Sequence, residues 1–363
     1  MRTAPADRAA TGARRPMRQA ARRVKQLTYV LALAGLLLAI LLVAYFGFGN
    51  VAAALGSVGL TQFGVIVAWQ LALFVILGVG WFVIVPPQGG HALGVFIWGR
   101  MVREAATNCL PFSTVGGFVF GARAVTLLGV SWSTATASTV VDVTAEFLAE
   151  IAFTAIGLSI LLARVPDSTL VVPIEVGLAL AVFACLVFVW LQKGAGRIFA
   201  GLGSRIAARR FHDAQERLEV LTAELSLIYG HTVRLVLSVA FHLIGWLGAG
   251  VAGWIAFHAL GVPLDFDDAL AIEALLAAAS AVAFLVPASA GVQEAGYVAL
   301  GAIFGVAPEL SLGVSLVRRA RDILVGVPIL LIWQWAELRR LRLQPVLEQT
   351  APKDGSSGDF GQL

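Results

Sequence analysis

The sequence predicts an all-α polytopic membrane protein with about six full spans and two Pro/Gly-broken re-entrant hairpins, arranged as inverted repeats. Three observations predict it. Hydrophobic residues make up 59% of the 363 and charged residues only 13%, far from the balance of a soluble domain. Several windows exceed the roughly 18 nearly uncharged residues that cross a hydrocarbon core about 30 Å thick. Two long apolar stretches are each interrupted near the middle by proline and glycine, and one can be laid on the other without gaps.

A solvated basic arm, residues 1–26, comes first, with Arg14, Arg15, Arg18, Arg22, Arg23 and Lys25 close to the first apolar run. That run, 27–46, is longer than a signal-peptide core and reads as a retained anchor despite the weak cleavage look-alike "AAAL" at 52–55. Further spans are expected at 60–85, 132–163, 170–192, 231–259 and 309–335. The stretch 92–130 breaks at "NCLPFSTVGG" (108–117), which contains Pro111, Gly116 and Gly117. The stretch 268–305 breaks at "LVPASAGVQEAG" (285–296), with Pro287 and Gly291. Residues 193–226 are polar and basic, but Ile198, Leu202 and Ile206 recur every four positions, and Leu218, Leu221 and Leu225 share a face. That pattern suits an amphipathic segment in the headgroup region. After Gln344 the tail is small and polar, the composition of a disordered segment. The organisation expected is a first membrane repeat at 27–163, a second at 164–335, and a cytoplasmic tail at 336–363.

The net charge of +4 does not point to nucleic acid, because the basic residues lie in short segments beside apolar spans. That placement orients a chain in a bilayer. The arm, the 193–217 segment and the cap of Arg339, Arg340 and Arg342 should be cytoplasmic, so both termini are cytoplasmic. The loop around Asp265, Asp267 and Asp268 should face outward. These assignments agree only if each broken stretch enters and leaves on one side, the first from the cytoplasm and the second from outside. Residues 110–146 align on 286–322: Pro111 meets Pro287, Ser113 meets Ser289, and Gly129-Val130 meets Gly305-Val306. Asp142 falls opposite Arg318, and Glu146 opposite Asp322. Inverted repeats with broken helices near the midplane are a transporter architecture.

Backbone freed at a break cannot face lipid, because each unsatisfied amide there costs several kcal/mol. The breaks should therefore be interior and line a polar cavity; a proline kink at a hairpin tip is the plainer reading. Ionisable residues within spans are functional candidates. Asp142, Glu146 and Glu150 stack on one face of a helix, and Arg318 and Asp322 share a face of another, with Arg319 and Arg321 beside them. Arg123 and Glu294 sit within the broken hairpins. These charges read either as structural ion pairs or as a polar pocket that receives a headgroup. The five histidines form no ligand cluster, Ser113 lacks a nucleophile context, and Cys109 and Cys185 suggest neither disulfide nor metal site. No cofactor, metal or catalytic residue is expected.

At "LPFSTVGGFVFGARAVTLLGVSWSTATASTVVDVTAEF" and at "VPASAGVQEAGYVALGAIFGV" followed by "SLVRRARD", the chain resembles the flippase-like superfamily named for the transmembrane region of lysylphosphatidylglycerol synthase. The resemblance covers nearly all of 27–340 and is closest to its hopanoid-biosynthesis-associated branch, HpnL. It departs where Pro287 is followed by Ala-Ser-Ala rather than Gly-Gly, and where Gly117 is followed by Phe118 instead of Glu. The resemblance implies that Arg123, Asp142, Glu146, Glu294, Arg318 and Asp322 form the substrate-binding positions. It also implies an inner-membrane, lipid flippase-like transporter of a hopanoid or related lipid, moved by rocking of the two hairpins. The family's aminoacyl-transfer domain is not expected here, so neither is enzymatic lysyl transfer. The partners implied are a membrane lipid (hopanoid or phospholipid) and no nucleic acid, with a homo-oligomer left open. The alternative is a non-transporting scaffold for lipid (hopanoid) biosynthesis enzymes, docked through 193–226.

Overall fold

The computed structural model describes residues 56, 58–110, 113–165, parts of 172–190, 212–282 and 292–350. The expected span 27–46, the basic part of the amphipathic segment at 193–211, and Pro111, Pro287 and Gly291 lie outside the described residues. Among the described residues every regular element is helical: α1 (Leu60–Ile84), a short 3-10 turn (Pro87–Gly89), α2 (Leu93–Cys109), α3 (Ser113–Leu127), α4 (Trp132–Arg164), α5 (His212–Tyr229), α6 (Thr232–Ala259), α7 (Phe266–Val282), α8 (Val292–Ile303) and α9 (Pro308–Thr350). Residues 172–180 are also helical. By length and composition α1, α4 and α6 can each cross a membrane.

Local chemistry sets the ends. α1 stops where Val85 turns extended ahead of two prolines, and α2 stops at Leu110, held extended (φ −112°, ψ 150°) by the Pro111 that follows. Ser131 caps α4 by accepting from Thr134 N at 3.1 Å. Asp267 and Asp268 fall in the first turn of α7, where carboxylates favour the helix dipole.

The helices recur in order at the offset that carries Pro111 onto Pro287. α1, α2, α3 and α4 correspond to α6, α7, α8 and α9. The turns between α3 and α4 and between α8 and α9 repeat in detail. Gly129 and Gly305 both take positive φ, 96° and 75°, a left-handed turn that glycine alone adopts without strain. Val130 N reaches Val125 O at 3.3 Å, and Val306 N reaches Gly301 O at 2.8 Å. Both valines are buried.

Packing follows the same pairing. α2 lies against α3 and α7 against α8, and each long helix takes the other set's hairpin helix, so α4 packs on α7 and α9 on α2. A Cβ at Gly157 would lie 2.5 Å from Ala274 Cβ, and one at Gly326 would lie 2.6 Å from Cys109 Sγ. α1 and α6 pack against each other, and Trp69 Nε1 donates to Gly248 O at 2.8 Å. One apolar core gathers Phe257, Ile272, Tyr297 and Val314, and a second gathers Trp81, Phe96, Val125 and Val141.

Two expectations need correction. α9 does not end at 335 but continues as one helix to Thr350, through the start of the tail expected to be disordered. The described part of the amphipathic segment is held against the protein. α5 packs on α4, with Leu221 and Leu225 against the core of Ile84, Phe96 and Ala135, and Thr134 Oγ1 donates to Glu224 Oε1 at 3.2 Å. Gly116 and Gly117, expected within the first break, are already inside α3.

Candidate functional site

α2 carries Arg100, Arg103 and Glu104 at spacings of three and four, which place them on one face. α4 presents Asp142 and Glu146 one turn apart, and α6 adds His242. Arg100, Arg103, Asp142 and His242 are each no more than 3% exposed. Arg103 Nη1 donates to Asp142 Oδ2 at 2.6 Å, and its Nη2 to Glu146 Oε2. Arg100 Nη1 reaches Glu146 Oε2 at 3.1 Å, while its Nη2 pairs with Glu146 Oε1 and, at 2.8 Å, with Glu104 Oε1. His242 Nε2 lies 2.9 Å from the other Asp142 oxygen. The Arg103 guanidinium also sits 4.4 Å over the Phe118 ring, a cation–π contact from the second helix of the hairpin. Phe118 thus braces an arginine of the neighbouring helix.

The second cluster draws on α7, α8 and α9. Arg318 Nη1 donates to Glu273 Oε2 and to Tyr297 OH, and Tyr297 OH donates to Glu273 Oε1. Arg319 pairs in a fork with Glu294, the Nη2 arm at 3.1 Å, and Arg321 pairs with Asp322 at 2.7 Å. Gln293 Nε2 donates to Ser315 Oγ at 3.1 Å. The signs are exchanged between the clusters. In the ion pairs that cross from hairpin to long helix, the first cluster takes its arginines from the hairpin and its acids from the long helix, while the second takes Glu273 and Glu294 from the hairpin and its arginines from the long helix.

The structure therefore brings Asp142 and Glu146 together, as their spacing implied. It does not join them to Arg123, Glu294, Arg318 or Asp322, which stand in separate pairs. Arg123, on α3 and 38% exposed, binds Glu337 of α9, Nε to Oε2 at 3.1 Å. The two halves meet through the packing of α4 on α7 and of α9 on α2 and through side chains that cross between them, among them His242 on Asp142, Arg123 on Glu337 and Cys109, whose Sγ donates to Asp322 O at 3.6 Å. Sequence reasoning missed Arg100, Arg103, Glu104, Glu273, Tyr297 and Glu337 and set His242 aside. The first four were open to the rule that flagged Asp142, an ionisable group in an apolar stretch. Tyr297 and His242 acquire meaning only from their partners.

Such buried charges persist because each is paired; removing one partner strands the other at about 3–5 kcal/mol. Some polar capacity remains unspent, since Arg100 Nε, Arg318 Nε and His242 Nδ1 are buried without hydrogen-bond partners. Among the described residues no group of three His, Cys, Asp or Glu side chains could hold a metal ion.

No curated protein and no solved structure matches the chain. The family model for the lysylphosphatidylglycerol synthase TM region matches residues 31–329, a stretch that contains both charge clusters and all of the corresponding helices except the end of α9. The chain belongs to that family of membrane proteins, related to lipid handling.

Proposed function

We propose that this protein is a flippase-like lipid transporter of the inner membrane that moves a hopanoid or related lipid, with both termini in the cytoplasm and without chemical conversion of its cargo. The observation that carries the reading is the pair of buried charge clusters, each tying a short hairpin to a long helix. α2 and α3, 17 and 15 residues long, reach only about 25 Å at 1.5 Å per residue. That is short of a full hydrocarbon core and suits a re-entrant pair. Corresponding helix order and twin glycine turns support two repeats, and the charge placement along the sequence supports their inversion. A headgroup would exchange with the cluster ion pairs while the apolar body stays in lipid, and hairpin rocking would change the side from which it is reached.

The scaffold reading is weaker, because Leu221 and Leu225, within the segment 193–226 through which it would dock, are packed on the protein's own core.

The test is transbilayer exchange of labelled lipids in liposomes holding the purified chain. Wild type should exchange at least one of several candidate lipids, a hopanoid and phosphatidylglycerol among them, faster than empty liposomes do. Folded Arg318→Gln and Glu146→Gln variants should be slower. Exchange at the empty-liposome rate across all candidates overturns the proposal.

A further inference from the structure

The Asp142 carboxylate is divided between two helices. Its Oδ2 takes Arg103 Nη1 of α2, and its Oδ1 faces His242 Nε2 of α6. An ionised carboxylate only accepts hydrogen bonds, so neutral His242 carries its hydrogen on Nε2 and leaves a bare lone pair on Nδ1. That lone pair is buried and unpartnered, and so is Ser238 Oγ one turn back along α6.

The surroundings favour a cation there. Arg100 and Arg103 face three carboxylates, Glu104, Asp142 and Glu146, which leaves one unit of negative charge while His242 is neutral. An ionised Glu150, one turn further along α4, would add to it. The second cluster has no such excess, since Arg318, Arg319 and Arg321 match Glu273, Glu294 and Asp322. The other helices on α6 leave this charge unbalanced: on α9, Arg318, Arg319 and Arg321 are engaged by the acids of the second cluster. α1 has no ionisable side chain. Glu273 of α7, beside Gly253, is held by Tyr297 and Arg318. Glu224 of α5 takes Thr134. On α6 itself, Arg234 reaches Val85 O and His258 faces Trp254 O. Unbalanced charge in a low-dielectric interior is unfavourable, and a proton on Nδ1 removes it.

We propose that His242 Nδ1 is a proton-binding site whose occupancy is coupled to movement of the α2–α3 hairpin, so that a proton gradient drives lipid movement. This rests on the lipid-transport reading. The proton adds to the Nδ1 lone pair, giving an imidazolium, and is later released from the same atom to the other side. While bound, it draws Asp142 toward α6 and weakens that carboxylate's hold on Arg103, which loosens the hairpin from α4.

Two measurements test it. The first is histidine nitrogen NMR of the full chain in nanodiscs, with His242 assigned through His242→Gln and pH lowered from about 8 to about 5 across the range where histidine titrates. His242 should pass from the neutral Nε2–H form to imidazolium, with a midpoint displaced in Asp142→Asn. A signal that keeps one form throughout overturns the site. The second is movement of fluorescent phosphatidylglycerol in proteoliposomes, which an imposed pH gradient should accelerate about fivefold, the low end of site-to-site coupling. His242→Gln should move the probe without responding to the gradient. A wild-type rate indifferent to the gradient overturns the coupling and leaves transport standing. No movement of this or any candidate lipid overturns transport and coupling together, and the NMR result alone then decides the proton site.

Discussion

Arg103 and Asp142 meet at 2.6 Å, neither more than 3% exposed, and their contact ties the hairpin helix α2 to the long helix α4. Each charge is tolerable because of the other. Asp142→Leu should therefore destabilise the protein by about 3–5 kcal/mol, since Arg103 loses one of its two acids inside the bilayer. The double variant Arg103→Leu/Asp142→Leu should recover part of that loss. Melting followed by tryptophan fluorescence in detergent checks the order, and a double variant that loses the full sum of both singles would break the coupling claimed for the pair.

Gly116 and Gly117 are adjacent in α3 yet should respond oppositely to alanine. A Cβ at Gly116 meets nothing within 4 Å, whereas one at Gly117 would stand 2.1 Å from Thr107 Oγ1 and 2.9 Å from Arg103 O. Gly116→Ala should gain up to about 1 kcal/mol of helix propensity. Gly117→Ala should lose about 1–3 kcal/mol by pushing α3 off α2. The same melting assay distinguishes them, and equal effects would mean that the two helices are less closely packed than described.

Gly129 and Gly305 occupy twin turns with positive φ and nothing near an added Cβ. Alanine at either should cost roughly 1–2 kcal/mol from backbone strain alone. The two substitutions should match within about 0.5 kcal/mol and be additive, since they lie in separate turns. A large difference between them in melting would argue against equivalent turns.

Much of this fold could be read from the chain because transfer into hydrocarbon depends on composition. The apolar lengths placed α1, α4 and α6 within a residue or so of their observed ends, and Pro111 marked the end of α2 through its effect on Leu110. The far end of α9 was not readable in the same way. Beyond 335 charged residues break up the apolar run, and what continues the helix is the propensity of Glu337, Leu338, Arg339, Arg340 and Leu341, which an apolarity criterion does not register. The site was half readable. Spacing alone put Asp142 and Glu146 on one face, but Arg103, His242 and Glu273 find their partners from 24 to 100 residues away, and no local pattern encodes such pairings.

Arg123 separates the buried clusters from their surroundings. Its pair with Glu337 joins α3 to α9, but Arg123 is 38% exposed, and exposed ion pairs contribute at most about 1 kcal/mol. Arg123→Gln should therefore leave the melting temperature nearly unchanged, unlike Arg318→Gln, which strands Glu273 at 3% exposure. The same contrast should hold in the liposome assay. Lipid exchange should fall at least about tenfold in folded Arg318→Gln, a loss of roughly 1.4 kcal/mol. It should fall less than about threefold in Arg123→Gln, because Arg123 has no bond to either buried cluster. A folded Arg123→Gln variant as inactive as Arg318→Gln would move the lipid path out of the cluster interior and toward the exposed seam between α3 and α9.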